Sequence, residues 1–292
     1  MASVQQLKSR IRSVNSTKQI TKAMQLVAAS KMRRAIDRAV SSHNYVYTAR
    51  DLFTYLSNIC HLEGHPLFKR RPIRRRLLVV ISSDTGLAGA YNSNVFKKYL
   101  SELKRDRDRD VATDTLAVGR KISHFATRLN KNNVIGTYER LSDDLADPEF
   151  AGLINTILDG YKNEDYDAID VIYTKFNSAI SQEVKLHYLL PMGHKPGAAP
   201  EEEVEVAEYV KFEPRPGDVL DFVADRLARA DIIQFLTESL ASEHSMRMMA
   251  MKSATDNASS LSDDLTLAMN KERQAVITQE LSEISAGAEA VK

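Results

Sequence analysis

Between Gly217 and Gly287 the chain holds neither a glycine nor a proline. That span is far longer than an ordinary globular helix runs uninterrupted. As one helix rising about 1.5 Å per residue, it would be roughly 100 Å long. The opposite end is built alike, because the first glycine or proline after Met1 is Gly64. Two breaker-free arms thus bracket whatever lies between them. Each carries apolar residues that must be buried, and the simplest burial is of one arm against the other.

The N-terminal arm spaces apolar and small residues by threes and fours: Val4, Leu7, Ile11, Val14, then Ala28, Met32, Ala35, Ala39, and on through Val46, Ala49, Phe53, Leu56 and Cys60. This is a seam of coiled-coil type. It is interrupted at Lys18, Thr21 and Gln25, where the apolar residues move to Ile20, Met24 and Val27. The shift predicts a stripe that meets more than one neighbour. In the C-terminal arm the seam wanders from Leu220, Val223, Leu227 and Ala230 to Ile233, Leu236 and Leu240, then to Leu261, Leu265 and Ala268. It returns to regular spacing at Ile277, Leu281, Ile284 and Ala288. Charge is lopsided. Up to Arg38 there are nine Lys or Arg against one acid, whereas seven acids face two bases between Asp256 and Glu289. Basic against acidic segments would support antiparallel pairing, although exposed pairs contribute under about 1 kcal/mol each. The last residues have no N-terminal partner of equal length, so a single helix is expected to protrude with an apolar tip that needs a socket.

The middle alternates strands and amphipathic helices. Strands are expected at 77–83, 115–118, 134–138, 168–174 and 184–190, with helices marked by Val95 to Leu103, Ile122 to Leu129, and Phe150 to Leu158. Asp147-Pro148-Glu149 is a helix start, a cap followed by proline at the first helical position. Such alternation favours a mostly parallel, doubly wound sheet with the last strand pair as an edge hairpin. The expected architecture is therefore α/β plus a long antiparallel coiled coil, with paired terminal helices enclosing the sheet domain. Its parts are a helix over 1–63, an α/β domain over 73–190, a Pro/Gly/Glu-rich connector over 191–217, and a helix over 218–292.

Composition excludes several classes. A net charge of +1 argues against a generic nucleic-acid binder, and a lone cysteine, Cys60, rules out an intrachain disulfide. The longest aliphatic run, 77–81, is too short for a bilayer. The N-terminus is basic and amphipathic, as mitochondrial presequences are, but the pattern continues for some sixty residues and reads as mature structure. Candidate chemistry is sparse. Ser83 to Gly89 joins a strand to a helix, where phosphates bind in nucleotide folds. It matches neither G-x-G-x-x-G nor the Walker pattern, so a turn requiring glycine is the simpler reading. Cys60, His61 and His65 have no matching pair elsewhere for a metal. Ser82 and Ser83 lack a nucleophile elbow, and nothing places His124 or His187 beside them. The six bases of Lys69–Arg76 could bind anionic lipid or nucleic acid but read more simply as a solvated lead into a strand, Arg105–Asp110 as an exposed helix end, and Met246, Met248, Met249 and Met251 as adaptable packing. No catalytic, metal or cofactor site emerges.

Arg10–Ala35 (RIRSVNSTKQITKAMQLVAASKMRRA) and Ser242–Ala290 (SEHSMRMMAMKSATDNASSLSDDLTLAMNKERQAVITQELSEISAGAEA) resemble the terminal signatures of the gamma subunit of F-type ATP synthases, bacterial type. ISSDTGLAGAYNSN at 81–94 resembles that family's strand-turn-helix motif, with Ala88 where many members carry another small residue. No chloroplast-type cysteine pair is present. The resemblance implies a non-catalytic rotor shaft whose terminal helices stand inside a ring of alternating alpha and beta subunits, with the α/β domain and an epsilon subunit on the membrane ring of c subunits. It implies a peripheral protein at the cytoplasmic face of a bacterial membrane, held there through the complex, coupling ion flow to ATP synthesis or hydrolysis. Carried over by motif, Met24 and Arg247 face a lever loop of beta. Arg273, Gln274, Thr278 and Glu280 match a catch between shaft and ring, and Leu281, Ile284 and Ala288 line an apolar bearing; the region near Tyr209 corresponds, weakly, to the part nearest the c ring. Two rivals rest on the residues alone. One is a nucleotide-binding α/β enzyme with a helical oligomerisation arm; the other is a coiled-coil scaffold that bridges nucleic acid through its basic arm.

Overall fold

The computed structural model describes residues 3–59, 65–129, 133–139, 148–193, 213 and 215–290. The elements are α1 (Val4–Ile59), β1 (Arg75–Ile81), α2 (Tyr91–Asp108), β2 (Ala112–Val118), α3 (Arg120–Arg128), β3 (Asn133–Tyr138), α4 (Pro148–Lys162), β4 (Ala168–Phe176), β5 (Gln182–Leu190) and α5 (Pro216–Ala290). Helix α5 starts at Pro216, where a missing N–H costs nothing, and it continues through Gly287 to Ala290. The chain divides into two units: Ser30–Met246, and Met1–Ala29 together with Arg247–Lys292.

The larger unit is built on a five-stranded sheet of order β3-β2-β1-β4-β5. β1 pairs in parallel with β2 and β4, β2 in parallel with β3, and β5 closes the edge as an antiparallel hairpin with β4. Helices cover both faces, so the sheet is doubly wound as the alternation predicts. Leu77, Val79 and Ile81 enter one core with Phe150, Leu153 and Ile157 of α4, Leu56 of α1, and Leu220, Leu227 and Phe235 of α5. Leu78 and Val80 enter the other, with Val95 and Tyr99 of α2 and Ile122 and Ala126 of α3. A central parallel strand buried on both sides reads as a continuous apolar run for this reason.

Two stretches expected at the surface lie there for the most part, but each sends one charged side chain inside, Arg76 and Asp106. Of the bases in Lys69–Arg76, Lys69 pairs with Glu164 at 2.8 Å, Arg71 donates to the carbonyls of Tyr161 and Tyr166, and Arg75 reaches Asp114 at 3.0 Å. Arg76 is buried. Its Nε donates to Asp170 at 2.6 Å and its Nη1 to both oxygens of Asp106 at 2.7 and 2.8 Å, with Glu102 at 3.5 Å. Asp106 therefore belongs to the interior, where Thr113 also donates to it at 2.8 Å. Lys98 and Arg105 neutralise Glu102 from the rim, each at 3.0 Å. The solvated reading holds for most of both stretches and missed these two residues because the carboxylates that accept Arg76 lie on α2 and β4, far along the chain.

Burial pushes the Asp170 carboxyl up to about 6 despite the adjacent Arg76 guanidinium. The folded protein thus holds a proton there that the unfolded chain has released. This contribution to stability is complete below about pH 4 and is lost as pH rises through about 6, by on the order of 3 kcal/mol. Asp170→Asn is expected to remove that slope from the difference between urea denaturation midpoints at pH 4.5 and 7.5. An unchanged slope would assign the titration to another group.

The smaller unit is an antiparallel helix pair. Ser262 Oγ donates to Asn15 Oδ1 at 3.1 Å, Lys18 Nζ to Ser259 Oγ at 2.9 Å, and Thr255 and Thr21 hydroxyls meet at 2.8 Å. The buried line on α5 is Arg247, Met251, Thr255, Ala258 and Ser262, spaced 4-4-3-4. On α1, Leu7, Thr21 and Ala28 are buried and Ile11, Val14, Lys18 and Gln25 half-buried. The heptad register is therefore unbroken; it becomes polar where an interruption was expected. Ile20 and Val27 do not take over the seam and are about three-fifths exposed. Leu261 likewise stands half outside the seam assigned to it. The pairing does not use the charge asymmetry. Among the described residues, Lys8, Arg10, Arg12, Lys18 and Lys22 make no ion pair.

Candidate functional site

Open α/β sheets bind ligands in the crevice beyond the carboxyl ends of their parallel strands. In the larger unit that crevice is filled by the chain's own α5. Ser239 Oγ accepts from the Thr174 amide at 3.2 Å and Ser242 Oγ donates to the Thr174 carbonyl at 3.1 Å. Leu236, Leu240 and Glu243 lie over Ile81, Val118 and Tyr138 around a cavity of ≈ 40 Å³, enough for a few waters. A nucleotide does not fit.

The loop between β1 and α2 is equally committed. Asp84 Oδ1 accepts from the Arg120 amide at 2.9 Å, the Ser83 carbonyl from Lys121 at 3.1 Å, and Ser82 Oγ from Ile122 at 2.9 Å. Those three amides are the unsatisfied donors that open α3. The segment read as a possible phosphate cradle caps a helix with its own oxygens. Its need for glycine falls on Gly89, at φ 56°, while Leu87 carries a positive φ of 61° and is exposed. Cys60 and His61 lie outside the described residues. His65 stands 3.1 Å from Asp221, and burial holds the imidazole below its ordinary range. No group of three metal-ligating side chains occurs among the described residues.

The remaining candidates all fall in the smaller unit. Met24 is half-buried and Arg247 is buried at the start of the α5 seam. From Arg273 to Ser285 every side chain is exposed, because the antiparallel register exhausts α1 at Val4. Arg273, Gln274, Thr278, Glu280, Leu281 and Ile284 lie within this stretch, and the side chain of Ala288 lies outside the described ones. At about 100° per residue, the six described positions project from one half of α5. Thr278 turns its hydroxyl back to the Gln274 carbonyl at 2.9 Å, so its methyl faces outward. The outward apolar set also includes Ile20, Leu26 and Val27 on α1 and Leu267 on α5, at 60, 61, 59 and 70% exposure. Sequence reasoning placed Ile20 and Val27 in the seam. The signal that identifies them was the phase shift itself, since residues one step off an intact heptad point away from the partner helix.

A pair of helices with hydroxyls inside and aliphatics outside is unusual for a free-standing coiled coil, and points to partners rather than a reaction. A family model described as ATP synthase matches residues 3–291. An ATP synthase gamma chain from Haemophilus influenzae (strain PittEE) is 39% identical over 292 residues, with 100% of each chain covered. The chain belongs to the ATP synthase gamma-chain family. Solved structures agree on the fold. A chain of the Tetrahymena thermophila mitochondrial ATP synthase central stalk and c-ring matches with a TM-score of 0.59 and 26% identity, over 80% of this chain and 99% of that one. A chain of the Euglena gracilis mitochondrial ATP synthase matches with a TM-score of 0.68 and 17% identity, over 99% and 94%. No helix among the described residues of the present chain is long and apolar enough to cross a membrane.

Proposed function

We propose that this gamma chain is the rotor shaft that couples ion flow through the membrane sector to ATP synthesis or hydrolysis at the beta subunits, and that it is itself non-catalytic. The observation that carries the reading is the exposed end of α5, where catch and bearing residues share one half of a helix that has no partner among the described residues. The outward aliphatics of both helices suit a hydrophobic sleeve formed by the alpha and beta ring. A single asymmetric shaft presents a different face to each beta subunit, and so biases each catalytic site toward a different affinity. Turning it permutes those affinities, driven by about 2.3 kcal/mol per charge per 100 mV. Met24 and Arg247 then face the beta lever, Arg273, Gln274, Thr278 and Glu280 form the catch, and Leu281, Ile284 and Ala288 line the bearing. The α/β unit meets epsilon and the c ring, at the cytoplasmic face of a bacterial membrane. The filled crevice and the capped loop weigh against the enzyme reading, and no nucleic acid or cofactor is required.

Leu281 and Ile284 are 62 and 69% exposed, so replacing both with Asp leaves the chain folded. Each apolar side chain lost from a socket costs about 1.5–3 kcal/mol. The double variant is expected to assemble less stably and to pump fewer ions per ATP hydrolysed, measured as acidification of inverted vesicles against ATPase rate. A pumping ratio and complex stability equal to the parent's would overturn the bearing assignment.

A further inference from the structure

An open cleft of ≈ 600 Å³ lies at the opposite end of the sheet from the filled crevice, between the C-terminal half of α2 and the start of β2. It has the size of a small-molecule site, and no residue assigned to the rotor lines it. Its walls divide into two kinds. Leu100, Leu103 and Leu129 supply an aliphatic side, and Leu100 is 42% exposed. Arg74, Lys104 and Arg107 supply three cations, none of which has an ion-pair partner among the described residues. Arg74 stands out because four of its five basic neighbours in 69–76 already pair with or donate to other groups of the domain.

The acids of the cleft do not cancel these charges. Asp114 is buried and already accepts from Arg75 at 3.0 Å and from the Tyr166 hydroxyl at 3.1 Å. Only Asp110 remains, so three positive charges face one unpaired carboxylate. The wall at the start of β2 is held in place, since Thr113 is tied to Asp106 and through it to Arg76. None of the lining residues is aromatic, which disfavours a nucleobase, whose binding relies on stacking. Two guanidinium groups and an ammonium favour a multivalent oxyanion.

We propose that this cleft binds a small amphiphilic anion, an alkyl phosphate in the simplest case, with its head among Arg74, Lys104 and Arg107 and its aliphatic tail against Leu100, Leu103 and Leu129. The same chemistry is offered by the headgroup and first methylenes of an acidic phospholipid and by a soluble alkyl phosphate. The site goes beyond the rotor reading and is tested apart from it.

The test is isothermal titration of the full 292-residue chain with n-octyl phosphate, inorganic phosphate and 1-octanol. Octyl phosphate is expected to bind at least about tenfold more tightly than either half-ligand, because charge-assisted contacts and tail burial both contribute. Lys104→Gln with Arg107→Gln should weaken it by about tenfold or more, and Leu100→Ser should erase the advantage over inorganic phosphate. All three positions are exposed, and unchanged melting curves confirm intact folding. Co-sedimentation with phosphatidylglycerol vesicles but not phosphatidylcholine vesicles, lost in the double variant, identifies a lipid source; octyl phosphate binding without sedimentation identifies a soluble one. Equal affinity of parent and double variant, no advantage of octyl phosphate over inorganic phosphate, or tighter binding of an acidic peptide would each overturn the proposal.

Discussion

Replacing Arg76 with leucine is expected to destabilise the α/β unit by about 3–5 kcal/mol, a large share of the roughly 5–15 kcal/mol that holds a domain together. The guanidinium is 3% exposed and lies among Asp170, Asp106 and Glu102. Removing it leaves carboxylates facing one another inside the sheet's second core. Lys98 and Arg105 reach only Glu102, so Asp106 and Asp170 lose their one cation. Arg76→Lys should fall between, because a point charge cannot hold two carboxylates in a planar fork. Since the stranded acids can take up protons, the deficit of Arg76→Leu should shrink as pH falls toward 4. Urea midpoints at pH 4.5 and 7.5 read both effects; a loss under about 1 kcal/mol at pH 7.5 would show that the network is dispensable.

Gly119→Ala is the second large effect. At φ 98° the residue sits where side chains are strained, and a Cβ would lie 2.3 Å from the Ser82 carbonyl oxygen and 2.9 Å from Ser82 Oγ. Neither neighbour can yield cheaply. Gly119 N donates to the Tyr138 carbonyl at 2.7 Å, and Ser82 Oγ is held by the Ile122 amide at 2.9 Å. Making room means opening the β2–β3 edge or uncapping α3, so a loss above about 3 kcal/mol is expected. Gly86→Ala is the control. A Cβ there meets nothing within 4 Å, and the change should stay within about 1 kcal/mol of the parent. Similar melting temperatures for the two variants would mean that the turn can relax.

Much of the fold is legible in the chain. Pro148 opens α4 and the five apolar positions after it, Phe150, Leu153, Ile154, Ile157 and Leu158, are all buried, because a 3.6-residue period marks one face regardless of what covers it. The strands were placed correctly but mostly drawn short at their polar ends: β2 begins at Ala112, not Thr115, and β4 runs to Phe176, while the first was carried two residues past Ile81. There the ladder hydrogen bonds, not side chains, define the element. Helix α5 runs through Gly287 as the expected span of 218–292 requires, since one glycine costs a long helix only about 1 kcal/mol.

The candidate site was legible in part. The exposed end of α5 follows from counting, since one arm outruns the other. The outward face of α1 did not follow, because Ile20 and Val27 look like seam residues until Thr21 is seen against Thr255.

The sequence by itself determined that two long helices flank a doubly wound sheet, that they have apolar sides to bury, and that the chain carries the gamma-chain motifs. Periodicity, breakers and motifs are local properties, so they survive without coordinates. Only the tertiary structure decided which phase of each helix faces inward, that α5 fills the ligand crevice, and that Arg76 is an interior cation. Those outcomes depend on surfaces and charges contributed by residues far apart in the chain, and no local pattern encodes which of two available faces a distant partner will cover.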